Sequence, residues 1–165
     1  MDDRLIFLDV DGVLNSHAWF KKFNEKHGRN ASIAGDRDGK GPSEHIDPKT
    51  VERLNRIVEV GKADVVLSST WRAGRTVTQI QELLERSGFR GRVIGKTGHG
   101  FNGERGLQIL NWLELTGNEK ATVVVLDDEE SDLGRVLGVL VKTDSKVGIT
   151  DEDVMKAVEI LKGER

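Results

Sequence analysis

Five short apolar runs lie along the chain, and each is continuous rather than alternating with polar residues. They are Leu5–Leu8, Val65–Leu67, Arg92–Ile94, Val123–Leu126 and Val136–Val141. Most are rich in β-branched residues, which favour strands. Continuous runs of this length are typical of strands that are buried on both faces, as in a parallel sheet.

Segments with helical spacing of apolar residues separate these runs. The stripes are Val51, Leu54, Ile57 and Val58; Ile80, Leu83 and Leu84; Leu107, Leu110 and Leu113; and Val154, Ala157, Val158 and Leu161. Asp47-Pro48 offers an N-cap and an N1 proline to the first stripe, and Thr150 begins a capping-box-like entry to the last. The alternation of strand and helix predicts an α/β fold built from βαβ units.

The segment 15–46 shows no strong periodicity, so we expect a short helix around His17–His27 followed by a flap. Its aromatic and basic side chains are Trp19, Phe20, Lys21, Lys22 and Phe23. These side chains would either stack a base and hold a backbone phosphate or pin the flap to the core. The sequence leaves both roles open.

Composition narrows the class of protein without indicating its chemistry. The 165 residues are 36% hydrophobic and 32% charged, with a net charge of −3 and no cysteine. Disulfides, thiolate metal sites and cysteine nucleophiles are therefore excluded. The apolar runs are far shorter than the roughly 20 residues of a membrane span, and the first residues lack a signal-peptide pattern. We expect a cytoplasmic protein with no membrane partner and no obligate protein partner.

Carboxylates follow two of the predicted strands. Asp9 and Asp11 come directly after the first run, and Asp127 and Asp128 follow the fourth. Ligands of open α/β sheets bind beyond the carboxyl ends of the strands, where clustered carboxylates would repel one another. A hard divalent cation such as Mg²⁺ would neutralise them. Alternatively, these residues are helix caps and solvated turn residues.

The segment Asp9-Val10-Asp11-Gly12-Val13-Leu14-Asn15 resembles the first motif of the haloacid dehalogenase (HAD) superfamily of phosphohydrolases. The resemblance implies that Asp9 is the nucleophile and forms an aspartyl-phosphate. It makes Asp11 the general acid and base that serves the leaving oxygen and the attacking water. Gly12, where the chain turns, and Asn15 are predicted to lie on the substrate side of the site.

The second motif of that family is a serine or threonine at the end of the next strand. Ser68 directly follows the second apolar run, and we expect its hydroxyl to bind a phosphoryl oxygen, with Ser69 as the near alternative. Thr70, Trp71 and Arg72 are predicted to contact the substrate at the mouth of the site. The other interpretation is that these polar residues cap the following helix.

The third motif is a basic residue upstream of the fourth strand, and Arg105 is our choice, with Lys96 as the alternative. The resemblance implies that this residue pairs with the phosphoryl group and the nucleophile. It assigns Mg²⁺ to Asp9, the backbone carbonyl of Asp11, and the pair Asp127 and Asp128. The sequence leaves open which member of that pair binds the metal directly.

A narrower resemblance rests on Leu67-Ser68-Ser69-Thr70-Trp71-Arg72, on the Arg-Gly before the helix of Trp112, and on the ending Val147–Thr150. These features resemble a capless branch named for Swiss Army Knife RNA repair proteins. Residues 1–165 would then form one domain with a three-layer Rossmann-like fold, a five-stranded parallel sheet in the order 5-4-1-2-3, and no large cap. The resemblance implies Mg²⁺-dependent phosphomonoester hydrolysis on nucleic-acid ends or nucleotides.

Two other function classes remain possible on the sequence alone. A receiver-like module would also cluster carboxylates around Mg²⁺ but would leave Asp11 without a role. The segment Gly98–Gly103 fits the glycine pattern of dinucleotide-binding proteins, although Lys96 and Thr97 separate it from the preceding strand.

Overall fold

The computed structural model describes residues 3–27 and 46–164. Within these two ranges, five parallel strands form one sheet, in the order β3-β2-β1-β4-β5. The strands are β1 (Arg4–Leu8), β2 (Asp64–Leu67), β3 (Val93–Lys96), β4 (Thr122–Asp127) and β5 (Leu140–Lys142). The predicted α/β class and strand order are confirmed.

The described residues form five α-helices, four of them between strands and the last after β5. They are α1 (His17–His27), α2 (Pro48–Gly61), α3 (Val77–Arg86), α4 (Arg105–Thr116) and α5 (Asp151–Lys162). Asp47 caps α2 by accepting a hydrogen bond from the Lys49 amide at 2.9 Å, and Thr150 forms a capping box with Asp153. Both helix starts match their sequence signals.

The sheet separates two hydrophobic clusters, which gives the molecule its three layers. Residues Ile6 and Leu8 of β1 face the larger cluster, which also holds the apolar stripes of α2, α3 and α5. Residues Leu5 and Phe7 face the smaller cluster, with Ile109 of α4. Alternate residues of one strand thus cover both faces, as the continuous apolar runs predict.

The fifth apolar run is only partly a strand, which corrects the prediction. Residues Gly134–Val139 form a 3₁₀ helix, and β5 begins at Leu140. Leu137 is 47% exposed, whereas Val136 packs in the smaller cluster. Gly138 interrupts the run, and Gly134 lies two residues before it; glycine weakens a strand.

The buried face of α4 also differs from the predicted stripe. Ile109 and Leu113 are buried, but Leu110 is 37% exposed. Gly106 lies on the buried face because a Cβ there would lie 3.2 Å from the backbone carbon of Leu133. Because the backbone of α4 approaches Leu133 closely at Gly106, the helix buries Ile109 and leaves Leu110 partly exposed. Trp112 is half-buried and packs against the smaller cluster.

Helix α1 lies where the sequence predicts it, and the rest of the predicted flap, residues 28–45, falls outside the described residues. Phe23 is buried, and Trp19 and Phe20 are half-buried. The start of α1 contacts the loop after β5, because the His17 amide donates to the Ser145 carbonyl at 3.1 Å. No helix within residues 3–27 and 46–164 is long and apolar enough to cross a membrane.

Candidate active site

Strands β1 and β4 bring the predicted carboxylates together. Leu8 and Leu126 are register partners, and the Asp9 amide donates to the Leu126 carbonyl at 2.9 Å. Asp9 is 3% exposed and Asp127 is fully buried, while Asp128 is half-buried. One carboxylate oxygen from each of the three lies within 4.8 Å of the others. Such a set of hard oxygen donors fits a divalent cation.

Gly12 makes room for this cluster. Its φ of +77° lies in the left-handed region, and a Cβ at this position would lie 2.5 Å from the Cγ of Asp128. Thr143 ties the Gly12 turn to β4: its hydroxyl donates to the Gly12 carbonyl at 2.8 Å, and its amide donates to the Asp127 carbonyl at 3.0 Å. The sequence did not indicate Thr143, because its only signal is a hydroxyl residue after a short apolar run.

Arg105, the first residue of α4, points into the carboxylate cluster. Its Nη1 donates to the carboxylate of Asp127 and lies 3.5 Å from Oδ2 of Asp9. Its Nε lies 3.8 Å from the carboxylate of Asp132, and its side chain is 20% exposed. A guanidinium can hold two carboxylates at once because its donors form a planar fork.

Lys96, the alternative to Arg105, is used elsewhere. Its Nζ donates to the backbone carbonyl of Arg72 at 3.4 Å and to that of Arg75. The ammonium group therefore ties the end of β3 to the loop after β2. Of the two candidate basic residues, Arg105 is the one that the structure places against the nucleophile predicted at Asp9.

Burial and like charge change the ionisation of this cluster. Burial raises the pKa of Asp9 to about 7, the Asp127 carboxylate adds to the effect, and Arg105 opposes it. Burial also raises the pKa of Asp127, again against the pull of Arg105. Burial alone would lower the pKa of Arg105, but the carboxylates of Asp127 and Asp9 outweigh it and raise the value. The site therefore holds excess negative charge that a cation would offset.

Asp11 lies apart from the three clustered side chains. Its carboxylate is exposed and accepts hydrogen bonds from Asn15 Nδ2 at 2.9 Å and from Trp71 Nε1 at 3.2 Å. Asn15 is in turn held by the Gly12 amide, which donates to its Oδ1 at 3.0 Å. The structure thus brings together four predicted site residues: Asp11, Gly12, Asn15 and Trp71. It also links two motifs, through Trp71, in a way the sequence did not predict.

The two serines after β2 have different surroundings. Ser69 Oγ accepts a hydrogen bond from the Trp71 amide at 3.2 Å and so caps the 3₁₀ helix Thr70–Arg72. Ser68 is 1% exposed, and its Oγ has no hydrogen-bond partner among the described residues. A buried hydroxyl is usually paired, so Ser68 is the serine with capacity for a ligand.

Arg72 is buried, with 5% of its surface exposed. Its Nη1 donates to the backbone carbonyls of Ser68 and Ser69 at 3.0 and 2.7 Å, and its Nη2 donates to Gln108 Oε1 at 3.0 Å. Gln108, which the sequence did not single out, also donates to the Gly100 carbonyl at 3.0 Å. These bonds fix the second-motif loop against α4. Substrate contact by Arg72 stays a prediction.

Two cavities lined by described residues adjoin the carboxylates. One, of about 180 Å³, lies beside Asp11 and Asp128 and is lined by Asn15 and Phe20 among others. The second, of about 390 Å³, is lined by Thr70, Arg72, His99, Gly100, Gly103, Arg105, Gln108 and Asp132. A phosphorylated ligand therefore has space on both sides of the cluster.

Comparison with known families decides what kind of domain this is. The family model for the HAD domain in Swiss Army Knife RNA repair proteins matches residues 5–154. The chain belongs to this HAD family. Neither a search of curated proteins nor one of solved structures gives a significant match. Family membership confirms the resemblance and supports a hydrolase of the phosphatase type over the receiver-like and dinucleotide-binding alternatives.

Proposed function

We propose that this HAD domain is a Mg²⁺-dependent phosphomonoester hydrolase that works through an aspartyl-phosphate on Asp9. The observation that carries the proposal is the buried Asp9 carboxylate, which lies beside Arg105 and within the cluster of Asp127 and Asp128. Carboxylates act as covalent nucleophiles toward phosphorus when a neighbouring cation offsets the charge.

The three clustered carboxylates fit Mg²⁺, which binds to a few carboxylates together with waters and substrate phosphate oxygens. Asp9, Asp127 and Asp128 would hold the ion. When bound, Mg²⁺ supplies positive charge that offsets the carboxylates and the phosphoryl oxygens. Asp11, held outside the cluster by Asn15 and Trp71, remains available for proton transfer.

The proposed reaction has two steps. In the first step, a carboxylate oxygen of Asp9 forms a bond to phosphorus while the bond from phosphorus to the leaving oxygen breaks, and Asp11 gives its proton to that oxygen. In the second step, Asp11 takes a proton from water, and the water oxygen displaces the Asp9 carboxylate from phosphorus. Ser68 and Arg105 bind the phosphoryl oxygens during both steps.

Nucleic-acid ends or nucleotides are the proposed substrates. The matched family is named for RNA repair proteins, and both cavities beside the carboxylates are open to solvent. Phe20, a half-buried aromatic residue of α1, lines the cavity next to Asp11, and an aromatic ring there would stack on a base.

A substrate panel with matched variants tests the proposal. Phosphate release is measured with Mg²⁺ and with a chelator, on 3′-phosphorylated DNA and RNA oligonucleotides, mononucleotides and sugar phosphates. We expect Mg²⁺-dependent release that favours the oligonucleotide ends, is abolished in Asp9→Asn, and persists in Glu130→Gln. Glu130 is an exposed carboxylate paired with Lys142 near the same strand end. No release by the wild type, or undiminished release by Asp9→Asn, would contradict the proposal.

A further inference from the structure

The indole of Trp71 reaches across the site to the carboxylate of Asp11, 60 residues away in the chain. Nε1 lies 3.2 Å from both Oδ1 and Oδ2 of Asp11, so one N–H is shared between the two oxygens. Trp71 follows β2 and Asp11 follows β1, and these strands are neighbours in the sheet. The contact therefore joins the turns at the ends of two adjacent strands.

Trp71 is itself held from three sides. Its backbone amide donates to Ser69 Oγ at 3.2 Å, and its ring packs against the larger hydrophobic cluster. The guanidinium of Arg75 lies 5.6 Å from the ring centroid, and Arg75 Nη1 donates to the Trp71 carbonyl at 2.9 Å. Because ring and backbone are both anchored, the indole N–H has a fixed position toward Asp11.

Asn15 makes the two oxygens of Asp11 different. Its Nδ2 donates to Oδ1 at 2.9 Å, and its own Oδ1 accepts from the Gly12 amide. Asn15 is fully buried, so this orientation is fixed. Among the described residues, Oδ1 of Asp11 thus accepts from Asn15 and shares the Trp71 donor, whereas Oδ2 has the shared donor alone. The proton of a neutral Asp11 belongs on Oδ2, which has the free lone pair.

We propose that Trp71 is the positioning residue for Asp11: its indole N–H and Asn15 together orient the carboxyl group so that Oδ2 carries the proton for the leaving oxygen. This inference rests on the proposed function. As the oxygen of Asp9 bonds to phosphorus and the leaving oxygen departs with its electron pair, the proton on Oδ2 passes to that oxygen. Asp11 is left as a carboxylate that accepts from Trp71 and Asn15.

A positioning role predicts that the variant Trp71→Phe is most harmful when the leaving group needs a proton. Phenyl phosphate and p-nitrophenyl phosphate are alike in size, but p-nitrophenolate is a stable anion that leaves without one. The comparison uses kcat/KM, which reports only the steps up to loss of the leaving group. We expect the ratio of kcat/KM for phenyl phosphate to kcat/KM for p-nitrophenyl phosphate to fall by about tenfold in Trp71→Phe.

Trp112→Phe is the matched control, because Trp112 packs edge-on against Phe7 at 5.6 Å within the smaller hydrophobic cluster. It should leave the ratio unchanged. Since both substrates are measured on one sample, the active fraction cancels from the ratio. If circular dichroism shows that Trp71→Phe is unfolded, a second variant is used. Trp19 and Trp112 are changed to Phe, so that benzothienylalanine incorporated in place of tryptophan enters at position 71 alone. That substitution exchanges the N–H for sulfur at almost constant shape.

The outcomes separate the two proposals. A lowered ratio in the Trp71 variant and an unchanged ratio in Trp112→Phe support the positioning role. An equal loss on both substrates, or no loss, overturns the positioning role while the hydrolase stands. A wild-type protein that releases phosphate from neither aryl phosphate nor any member of the substrate panel overturns the proposed function and this inference with it.

Discussion

Nη1 of Arg105 lies 3.5 Å from Oδ2 of Asp9. Among the described ion pairs, Arg105 is thus the cation closest to the predicted nucleophile. The same guanidinium also binds the carboxylate of Asp127. Because both carboxylates are almost completely buried, their mutual repulsion is offset by one side chain from α4. The contact links the stability of the strand ends to the chemistry proposed there.

Replacement of Arg105 should therefore cost stability as well as activity. Arg105→Ala leaves two buried carboxylates without their cation, and we expect a loss of about 3 kcal/mol in the free energy of unfolding at pH 8 without Mg²⁺. Denaturant unfolding measures it. Arg92→Ala is the control, since the Arg92–Asp64 pair has a largely exposed arginine and solvent-exposed ion pairs contribute little to stability. Equal losses in the two variants would argue against the buried ion pair.

Addition of Mg²⁺ should recover part of the stability that Arg105→Ala loses, because the ion replaces the missing positive charge at the same carboxylates. The rise in Tm on adding Mg²⁺ should be larger in Arg105→Ala than in the wild type. The measurement is a thermal melt over a series of Mg²⁺ concentrations. A smaller rise in the variant would show that Arg105 does not compete with the metal for charge neutralisation.

The pKa of Asp9 predicts how the metal-free protein responds to pH. Its carboxyl titrates near 3.8 ordinarily and near 7 when folded, mainly because of burial. Between these values the folded state binds more protons than the unfolded state. The free energy of unfolding should therefore fall as pH rises from 4 to 7, by on the order of 1 kcal/mol per pH unit from this group, and level off above 7.

Asp9→Asn removes that titration and should reduce this pH dependence to the part that the raised pKa of Asp127 contributes, while Glu130→Gln should leave the slope unchanged. At pH 8 the metal-free Asp9→Asn protein should also be more stable than the wild type, because a buried charge is gone. Urea unfolding at pH 5, 6, 7 and 8 provides the comparison. The same slope in Asp9→Asn and in the wild type would mean that Asp9 does not carry the effect.

Gly12 should tolerate no side chain. Gly12→Ala places a Cβ 2.5 Å from the Cγ of Asp128 and on a backbone with φ of +77°. Gly117→Ala is the control, since its φ is +70° and its Cβ would meet nothing within 4 Å. We expect Gly117→Ala to lose about 1 kcal/mol from backbone strain and Gly12→Ala about 1–3 kcal/mol more from overpacking. Only Gly12→Ala should weaken the Mg²⁺-induced rise in Tm.

Ser68→Ala should separate activity from stability. The Ser68 hydroxyl has no partner among the described residues, so its removal should change the free energy of unfolding by less than about 0.5 kcal/mol. Phosphate release should fall by about 10-fold to 100-fold if the hydroxyl binds a phosphoryl oxygen. Thr50→Val should lower the free energy of unfolding and leave phosphate release by the folded protein unchanged, because Thr50 donates to the Leu14 and Asp47 carbonyls at 2.6 and 2.8 Å. A destabilised but fully active Ser68→Ala would point to a structural serine.

Much of the fold follows from local sequence signals. The strands adjoining the site are continuous apolar runs, and Asp47 and Thr150 start their helices as expected. The predictions are wrong where one apolar run spans two kinds of secondary structure. Val136 is buried in a 3₁₀ helix and Val141 in a strand, and a continuous apolar run does not distinguish the two.

The candidate site is less predictable, because its decisive contacts are long-range. Asp9 and Asp127 could be placed together from the strand order alone. The hydrogen bond from Trp71 to Asp11 and the bonds of the buried Arg72 to Gln108 leave no periodic trace in the sequence. They depend on how the turns after β1 and β2 and the start of α4 meet above the sheet.

Trapping of the covalent intermediate tests whether Asp9 is the nucleophile. The protein is mixed with Mg²⁺ and a ³²P-labelled phosphomonoester, quenched in acid within its turnover time, and the labelled peptide is identified by mass spectrometry. We expect a transient, hydroxylamine-sensitive acyl-phosphate on Asp9 that requires Mg²⁺ and is missing from Asp9→Asn. Label on another residue, or turnover by the wild type with no labelled protein at any quench time, would contradict a nucleophilic role for Asp9.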